Sequence, residues 1–220
     1  MKKIFILSLL MAIILLNNGC KKDGNGSKVK TYTEEFVDVP NLRIKGWVFI
    51  NNSSYNIAPW QQGQEGMDKG GTTYGFSAYS YKANKNEYAF AGYISANSSY
   101  SISSWMISPV YEIKNGDKIS FFTRSSPGTE DGDRLQVLLN EVDNTSDVGS
   151  GVTSVGKFTL LLKDVNETLA VGAYPQTWTK YEITVSGLAS PKQTRIAFRY
   201  FPDPSKSDGI GIDQFSFTSL

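Results

Sequence analysis

The feature that most constrains the fold is the regular alternation of strand-forming runs with turn-forming clusters from Thr33 to the C-terminus. Short runs of β-branched and aromatic residues are separated by clusters of Gly, Asn, Ser, Asp and Pro. This pattern is typical of β-strands joined by tight turns. A total of about ten to twelve strands at this spacing indicates a sandwich or a barrel.

Several segments carry the strand pattern most clearly. Lys118–Thr123 and Arg134–Leu139 alternate polar and apolar residues, as expected for strands with one buried face. Residues 161–171 lack a 3.6-residue period and are predicted to form a loop, so little or no helix is expected. The predicted strands cover 44–50, 72–80, 87–94, 103–108, 118–123, 134–139, 157–162, 178–185, 195–201 and 210–217. We predict a single all-β domain over residues 32–220.

The N-terminal segment has the composition of a bacterial lipoprotein signal. Met1–Lys3 is basic, residues 4–16 are mainly apolar, and the only cysteine follows at Cys20. The apolar run is shorter than the roughly 20 residues that a membrane span needs. We therefore predict a signal peptide over 1–19 and a lipid-modified Cys20.

Two other interpretations of this segment stay open. Asn17 and Asn18 replace the aliphatic and small residues that usually precede a lipid-modified cysteine. The segment is thus also compatible with an ordinary signal peptide cut near Gly19, and less well with an uncleaved anchor. Residues 20–31 are small, polar and charged, which predicts a flexible tether between the N-terminus and the domain.

Composition excludes several classes of function. Without the signal segment the chain keeps 20 basic and 21 acidic side chains, a net charge of −1. Such a chain lacks the basic patch that binds nucleic acid, and membrane contact is predicted only through the lipid on Cys20. The chain has no histidine, which removes histidine acid–base catalysis, the Ser-His-Asp triad and most zinc sites.

Because the chain has no histidine, catalysis by carboxylates is the enzymatic alternative that remains. Glycoside hydrolysis needs two carboxylates about 5–10 Å apart across a cleft. Glu87, Glu112, Glu141 and Glu182 lie on or near predicted strands, but their spacing does not pair them. We therefore predict that the chain is not an enzyme and keep a carboxylate hydrolase as an alternative.

Two acid-rich loops are candidates for cation binding. Residues 129–133 and 201–209 place carboxylates close to glycines, which suits Ca²⁺. Neither loop has the EF-hand pattern. Asp, Gly and Pro are also the residues that turns require, so we predict solvated turns at both positions.

Four segments in a fixed order match the motifs of a known family. They are Glu35-Phe36 with Gly46–Asn51 and Trp60; Trp105–Val110 with Ile119-Ser120-Phe121; Asp133–Val137; and Trp178–Ile183 with Arg195–Tyr200 and Ile210–Asp213. Together they resemble the choice-of-anchor J or cleaved-adhesin family of bacterial surface proteins. The resemblance covers nearly all of residues 33–220 and implies a jelly-roll β-sandwich of the galactose-binding or MAM-like type.

The resemblance also implies a structural Ca²⁺. In related sandwiches, acids at the chain start and near the last strand hold this ion, and Asp213, Glu35 and Asp38 are the residues at those places here. Two positions depart from the family pattern, because Val37 follows the opening phenylalanine and Gln214 replaces the second acid of the last-strand pair.

Aromatic residues in the first half of the domain form the predicted ligand-binding surface. Tyrosines cluster between residues 55 and 100 beside Asn, Ser and Gly, and flat rings next to amides and hydroxyls suit sugar rings. The candidate residues are Trp60, Tyr55, Tyr74, Tyr79 and Tyr81. The alternative is that these tyrosines are strand residues without a ligand.

The other tryptophans, Trp47, Trp105 and Trp178, lie in predicted strands and are expected in the core.

The resulting hypothesis is a non-catalytic outer-membrane lipoprotein that binds a glycan or a host or matrix protein. A structural or assembly subunit of an envelope complex is the alternative.

Overall fold

The computed structural model describes residues 29–54, 57–65, 76–79, 85–96, 100–128, 130–203 and 205–220. Its strands are β1 (Lys30–Glu34), β2 (Val48–Asn51), β3 (Gln61–Gln62), β4 (Ala89–Gly92), β5 (Ser104–Ile107), β6 (Tyr111–Ile113), β7 (Lys118–Ser125), β8 (Leu135–Leu139), β9 (Leu160–Val165), β10 (Thr179–Thr184), β11 (Lys192–Thr194), β12 (Ile196–Tyr200) and β13 (Gly209–Ser219). Two short 3-10 helices span Val39–Lys45 and Tyr93–Ser95. Within these ranges, no helix has the length and apolar character of a membrane span. The predicted signal peptide, Cys20 and the tether up to residue 28 lie outside the described residues.

The strands form two main antiparallel sheets and one small sheet. The six-stranded sheet has the order β10-β7-β13-β4-β3, and β1 pairs with β13 beside β4. The five-stranded sheet has the order β2-β5-β12-β8-β9, and β11 pairs with β6 in the small sheet. Strands distant in sequence are neighbours in each sheet, which is the topology of a sandwich. The predicted all-β jelly-roll sandwich is confirmed.

The core lies between the inner faces of the two main sheets. Ile119 and Phe121 of β7 alternate with outward residues and are fully buried. Phe198, on the central strand β12, meets Phe121 and Phe215 edge-on at ring-centroid distances of 5.2 and 5.8 Å. Edge-to-face contacts of this kind favour close aromatic packing. The aromatic residues of the two sheets therefore interlock at the centre of the sandwich.

The second buried cluster covers the far side of the five-stranded sheet. Trp105 and Ala197 turn away from the main core and pack with Phe158 from the loop before β9. This cluster covers the outer face of the sheet, so β12 and its neighbours β5 and β8 are buried on both faces. Trp47 belongs to the main core and Trp105 to this second cluster, so the core prediction is confirmed for both tryptophans.

Local capping overrides strand propensity at the start of the domain. The predicted strand 44–50 is wrong in its first half, where the 3-10 helix Val39–Lys45 ends. The Asp38 carboxylate accepts a hydrogen bond from the Asn41 N–H at 3.3 Å, and Gly46 ends the helix with φ +89°. Glycine adopts this left-handed conformation without steric cost. The prediction of a loop at 161–171 is also wrong in part, because β9 runs to Val165.

Candidate functional site

The outward face of the six-stranded sheet collects side chains from three strands that are far apart in sequence. Alternate residues of β7, β10 and β13 face away from the core. The register aligns them in three rows, which are Lys180–Phe122–Asp213, Glu182–Ser120–Ser216 and Thr184–Lys118–Thr218. The first row is aromatic and charged, whereas the other two are rich in hydroxyl groups.

An aromatic layer covers one half of this face. The Trp178 ring meets Phe76 at 5.4 Å and Tyr88 at 5.8 Å, both edge-on. Trp178 Nε1 also donates a hydrogen bond of 2.8 Å to the Ser77 carbonyl. Trp178 thereby holds the segment 76–79 against the sheet.

Glycine in β13 makes room for this layer. A Cβ atom on Gly211 would lie 2.6 Å from Phe76 Cε2 and 2.9 Å from Trp178 Cη2. Real Cβ contacts are longer than this, so a side chain at Gly211 would displace both rings. The absence of a side chain at this position lets the rings lie directly on the strand.

Tyr79 presents an exposed aromatic ring at the border of the aromatic layer. Its ring stacks on Phe122 with centroids 3.8 Å apart and an interplanar angle of 18°. Its N–H donates a hydrogen bond of 2.8 Å to Asp213 Oδ2. Tyr79 is still 46 % exposed, so these contacts position a flat ring while part of its surface stays open to solvent.

A polar shelf lies next to the exposed Tyr79 ring. This shelf is a shallow cavity of about 360 Å³ lined by Lys118, Ser120, Glu182, Thr184 and Ser216, with Ile119 and Thr218 completing it. Lys118 Nζ donates to Thr184 Oγ1 at 2.5 Å. Since residues two apart on a strand are about 7 Å apart, the shelf begins about one sugar-ring width from Phe122. The shelf offers hydroxyls, one ammonium and one carboxylate.

Arg124 adds a cation on the aromatic side. Its guanidinium carbon lies 4.5 Å from the centre of the Phe76 ring, and its Nη2 donates a hydrogen bond of 2.6 Å to the Gln176 carbonyl. Burial lowers the pKa of Arg124, yet an arginine remains charged at neutral pH. A cation–π contact with Arg124 therefore also stabilises the Phe76 ring of the aromatic layer.

The predicted ligand-binding residues have different positions in the structure. Tyr79 lies on the exposed face, whereas Tyr55, Tyr74 and Tyr81 fall outside the described residues. The exposed role predicted for Trp60 is wrong. Its ring is 3 % exposed within the main core, and Nε1 donates a hydrogen bond of 3.1 Å to the Ser104 carbonyl.

Trp178 and Phe122 are the residues that the sequence interpretation missed. The core prediction for Trp178 is wrong, because the residue is half-buried on the outward face. Tyr181 and Ile183 face the core, so even-numbered positions on β10 face outward. Strand alternation could have shown this, because Trp178 is an even number of residues from the outward positions of β10. Phe122 faces outward for the same reason, since its neighbour Phe121 on β7 faces the core.

The candidate calcium ligands have other contacts in the structure. Both oxygens of Asp213 accept backbone hydrogen bonds, from Tyr79 and from Gln214. Asp38 caps the first 3-10 helix, and Glu35 is half-buried. Across the described ranges, no three Cys, Asp or Glu side chains are grouped to hold a metal ion. Calcium binding by Asp213, Glu35 and Asp38 stays a prediction.

The two acid-rich loops meet and exclude solvent. Gly132 donates its N–H to the Lys206 carbonyl at 2.6 Å, and Asp133 and Asp208 are 1 % and 3 % exposed. The prediction of solvated turns is therefore wrong for Asp133 and Asp208. Burial, with a further contribution from the charge of Asp208, raises the pKa of Asp133 to about 7. At this burial, neither carboxylate can meet a polymeric substrate.

Solved structures of bacterial adhesin domains share this sandwich. The chain is similar to the K1 and K3 cleaved adhesin domains of Lys-gingipain from Porphyromonas gingivalis W83, at 16 % and 14 % identity and TM-scores of 0.50 and 0.51. Each comparison covers 87 % of this chain and 99 % of the adhesin domain. A family 29 carbohydrate-binding module matches at 11 % identity and a TM-score of 0.43, over 87 % of this chain and 92 % of the module. No protein-family model and no curated protein sequence matches the chain. The two adhesin domains confirm an adhesin-like fold.

Proposed function

We propose that this chain is a non-catalytic binding module that recognises a glycan through the outward face of its six-stranded sheet. The observation that carries the proposal is the exposed Tyr79 ring, stacked on Phe122 beside the polar shelf. The adhesin-like fold supports a binding role. A host or matrix protein is the alternative ligand.

The chemistry of the face suits a pyranose. One side of a sugar ring presents C–H groups that pack on an aromatic ring, while its hydroxyls need hydrogen-bond partners. Tyr79 provides the aromatic surface, and Ser120, Glu182 and Lys118 provide donors and acceptors about one ring width away. A few polar groups beside an apolar surface are the usual composition of a ligand site.

A binding role without catalysis agrees with the acids on this face. Among the described residues, Glu182 is the single carboxylate of the shelf lining, and it forms an ion pair with Lys180 at 3.0 Å. Glycoside hydrolysis requires a second carboxylate across a cleft. The closely placed Asp133 and Asp208 are buried, so they do not supply that pair to a substrate.

Replacing Tyr79 with alanine is expected to weaken glycan binding about tenfold or more, because the loss of one stacked ring is worth about 1.4 kcal/mol. A glycan array identifies the ligand, and titration calorimetry measures the affinity. Tyr79→Phe keeps the ring and is expected to bind like the wild type. Tyr100→Ala is the matched control, since Tyr100 is 42 % exposed and precedes β5 of the other sheet.

Two results would contradict the glycan proposal. One is an array without signal, and the other is a Tyr79→Ala variant that binds its glycan as tightly as the wild type. Co-purification of a stoichiometric envelope protein in the absence of any glycan signal would instead favour a structural or assembly subunit.

The location of the module is proposed from its N-terminal segment. A diacylglycerol on Cys20 would hold the domain at the outer membrane through the tether of residues 20–31. Cells grown with an alkynyl fatty acid are expected to label the wild-type protein and to leave Cys20→Ser unlabelled. Equal labelling of the two proteins, or none in the wild type, would contradict the lipid anchor.

A further inference from the structure

A second cleft opens between the paired strands β1 and β13 and the small sheet of β6 and β11. Its volume is about 430 Å³, within the range of small-molecule sites. Six residues define its chemistry, and they are Lys30, Tyr32, Tyr111, Glu112, Lys114 and Gln193.

This cleft lies on the opposite side of β1 and β13 from the polar shelf. Tyr32 pairs with Phe217 in the register, and Phe217 faces the main core. The next pair, Thr31 and Thr218, faces the other way, and Thr218 lines the shelf. The two hydroxyls of this pair are 3.1 Å apart. Alternation along the strands therefore separates the two sites.

Two tyrosine rings form the apolar wall of the cleft. The ring centroids of Tyr32 and Tyr111 are 4.9 Å apart, with an interplanar angle of 42°. Tyr111 also stacks on the fully buried Phe217 at 5.0 Å. Tyr32 is 43 % exposed. The core thus fixes the inner ring, while the outer ring presents its surface to solvent.

The charges around the rings balance. Lys114 Nζ contacts the fully buried Asp117 at 2.9 Å, so that ammonium is already paired. Lys30 and Glu112 then contribute one positive and one negative charge to the lining. Gln193, paired with Glu112 in the register, adds an amide that both donates and accepts. This lining suits a neutral ligand with many hydroxyls better than an anion or a cation.

We propose that this cleft binds one neutral pyranose residue, as a sugar site separate from the outward face. The exposed Tyr32 ring, supported from the core side by Tyr111, would take the C–H face of the sugar, and Lys30, Glu112 and Gln193 would bind its hydroxyls. The assignment does not depend on glycan binding by the face around Tyr79, because the two sites have no described lining residue in common.

Saturation-transfer NMR with methyl glycosides tests the site in the domain with its tether. The probes are the methyl α- and β-pyranosides of glucose, galactose and mannose, with methyl β-glucuronide as the anionic comparison. We expect transfer to at least one neutral glycoside with a dissociation constant in the millimolar range. Tyr32→Ala is expected to weaken this binding at least tenfold, and Tyr32→Phe to preserve it.

Two variants separate this site from the outward face. Thr31→Ala changes the neighbouring residue on the opposite side of β1 and is expected to bind like the wild type. Tyr79→Ala, which alters only the outward face, is expected to keep the part of the binding that Tyr32→Ala removes. Glu112→Gln, at an exposed position, is also expected to weaken binding. It replaces Tyr32→Ala as the test variant if Tyr32→Ala is unfolded at the temperature of the measurement. Transfer to no neutral glycoside, binding of the glucuronide alone, or loss of binding in Tyr79→Ala with retention in Tyr32→Ala would overturn the assignment.

Discussion

The stability of the wild-type protein relative to an Asp133→Asn variant is expected to fall by about 4 kcal/mol as the pH rises from about 4 to about 8. Burial raises the pKa of Asp133 to about 7, whereas an aspartate in an unfolded chain has a pKa of about 3.9. Between these values the folded protein binds more protons than the unfolded chain. The contribution of the protonated Asp133 is therefore complete at low pH and is lost as the pH passes about 7.

The surroundings of Asp133 explain why the proton is retained. Its Oδ1 accepts a hydrogen bond of 2.5 Å from the Tyr200 hydroxyl, and this bond and a backbone hydrogen bond from Asp208 both lower the pKa of Asp133. Burial of the carboxylate outweighs both bonds. The nearby acids Asp208 and Asp131 add repulsion to the cost of burial. A proton removes the charge that this site cannot stabilise.

Urea unfolding at several pH values between about 4.5 and about 8.5 measures the effect. Asparagine keeps an Oδ1 acceptor for Tyr200 and does not titrate, so the stability of the variant is expected to change less with pH. Asp38→Asn is the control, because Asp38 is exposed and asparagine caps a helix as well as aspartate does. Parallel stability curves for wild type and Asp133→Asn would contradict a raised pKa at this position.

The architecture was predictable because alternation along a strand reports burial directly. Lys118–Thr123 alternates in the sequence, and β7 alternates in burial over its whole length. The prediction failed where a local interaction outweighed strand propensity, as at Asp38 and Gly46, which begin and end a 3-10 helix. Apolar residues in that helix resemble a strand in sequence, since the helix is too short to show its own period.

The candidate site was only partly predictable, because strand pairing assembles it. Tyr79 is identifiable as one aromatic residue in a polar segment, but nothing near it in sequence indicates that its ring lies on Phe122. Asp133 likewise belongs to a loop with the composition of a solvated turn. Its hydrogen-bond partner Tyr200 is 67 residues away, so the register of distant strands decides the burial of that loop.

Replacing Trp178 with alanine is expected to lower the free energy of unfolding by about 2–3 kcal/mol and to abolish glycan binding at the outward face. The value lies below that of a fully buried tryptophan, because Trp178 is half-buried. The variant loses the contacts with Phe76 and Tyr88 and the hydrogen bond to the Ser77 carbonyl. Without them, the segment that carries Tyr79 is no longer held against the sheet.

The effect on binding distinguishes positioning from general destabilisation. Urea unfolding gives the stability, and calorimetry at a temperature where the variant is folded gives the affinity. Trp178→Phe keeps a ring but loses the indole N–H, so an intermediate affinity is expected. Tyr100→Ala, an exposed position that precedes β5 of the other sheet, is the control for binding. If the folded Trp178→Ala variant binds glycan as tightly as the wild type, Tyr79 is positioned by its Phe122 and Asp213 contacts alone, and the aromatic layer serves only stability.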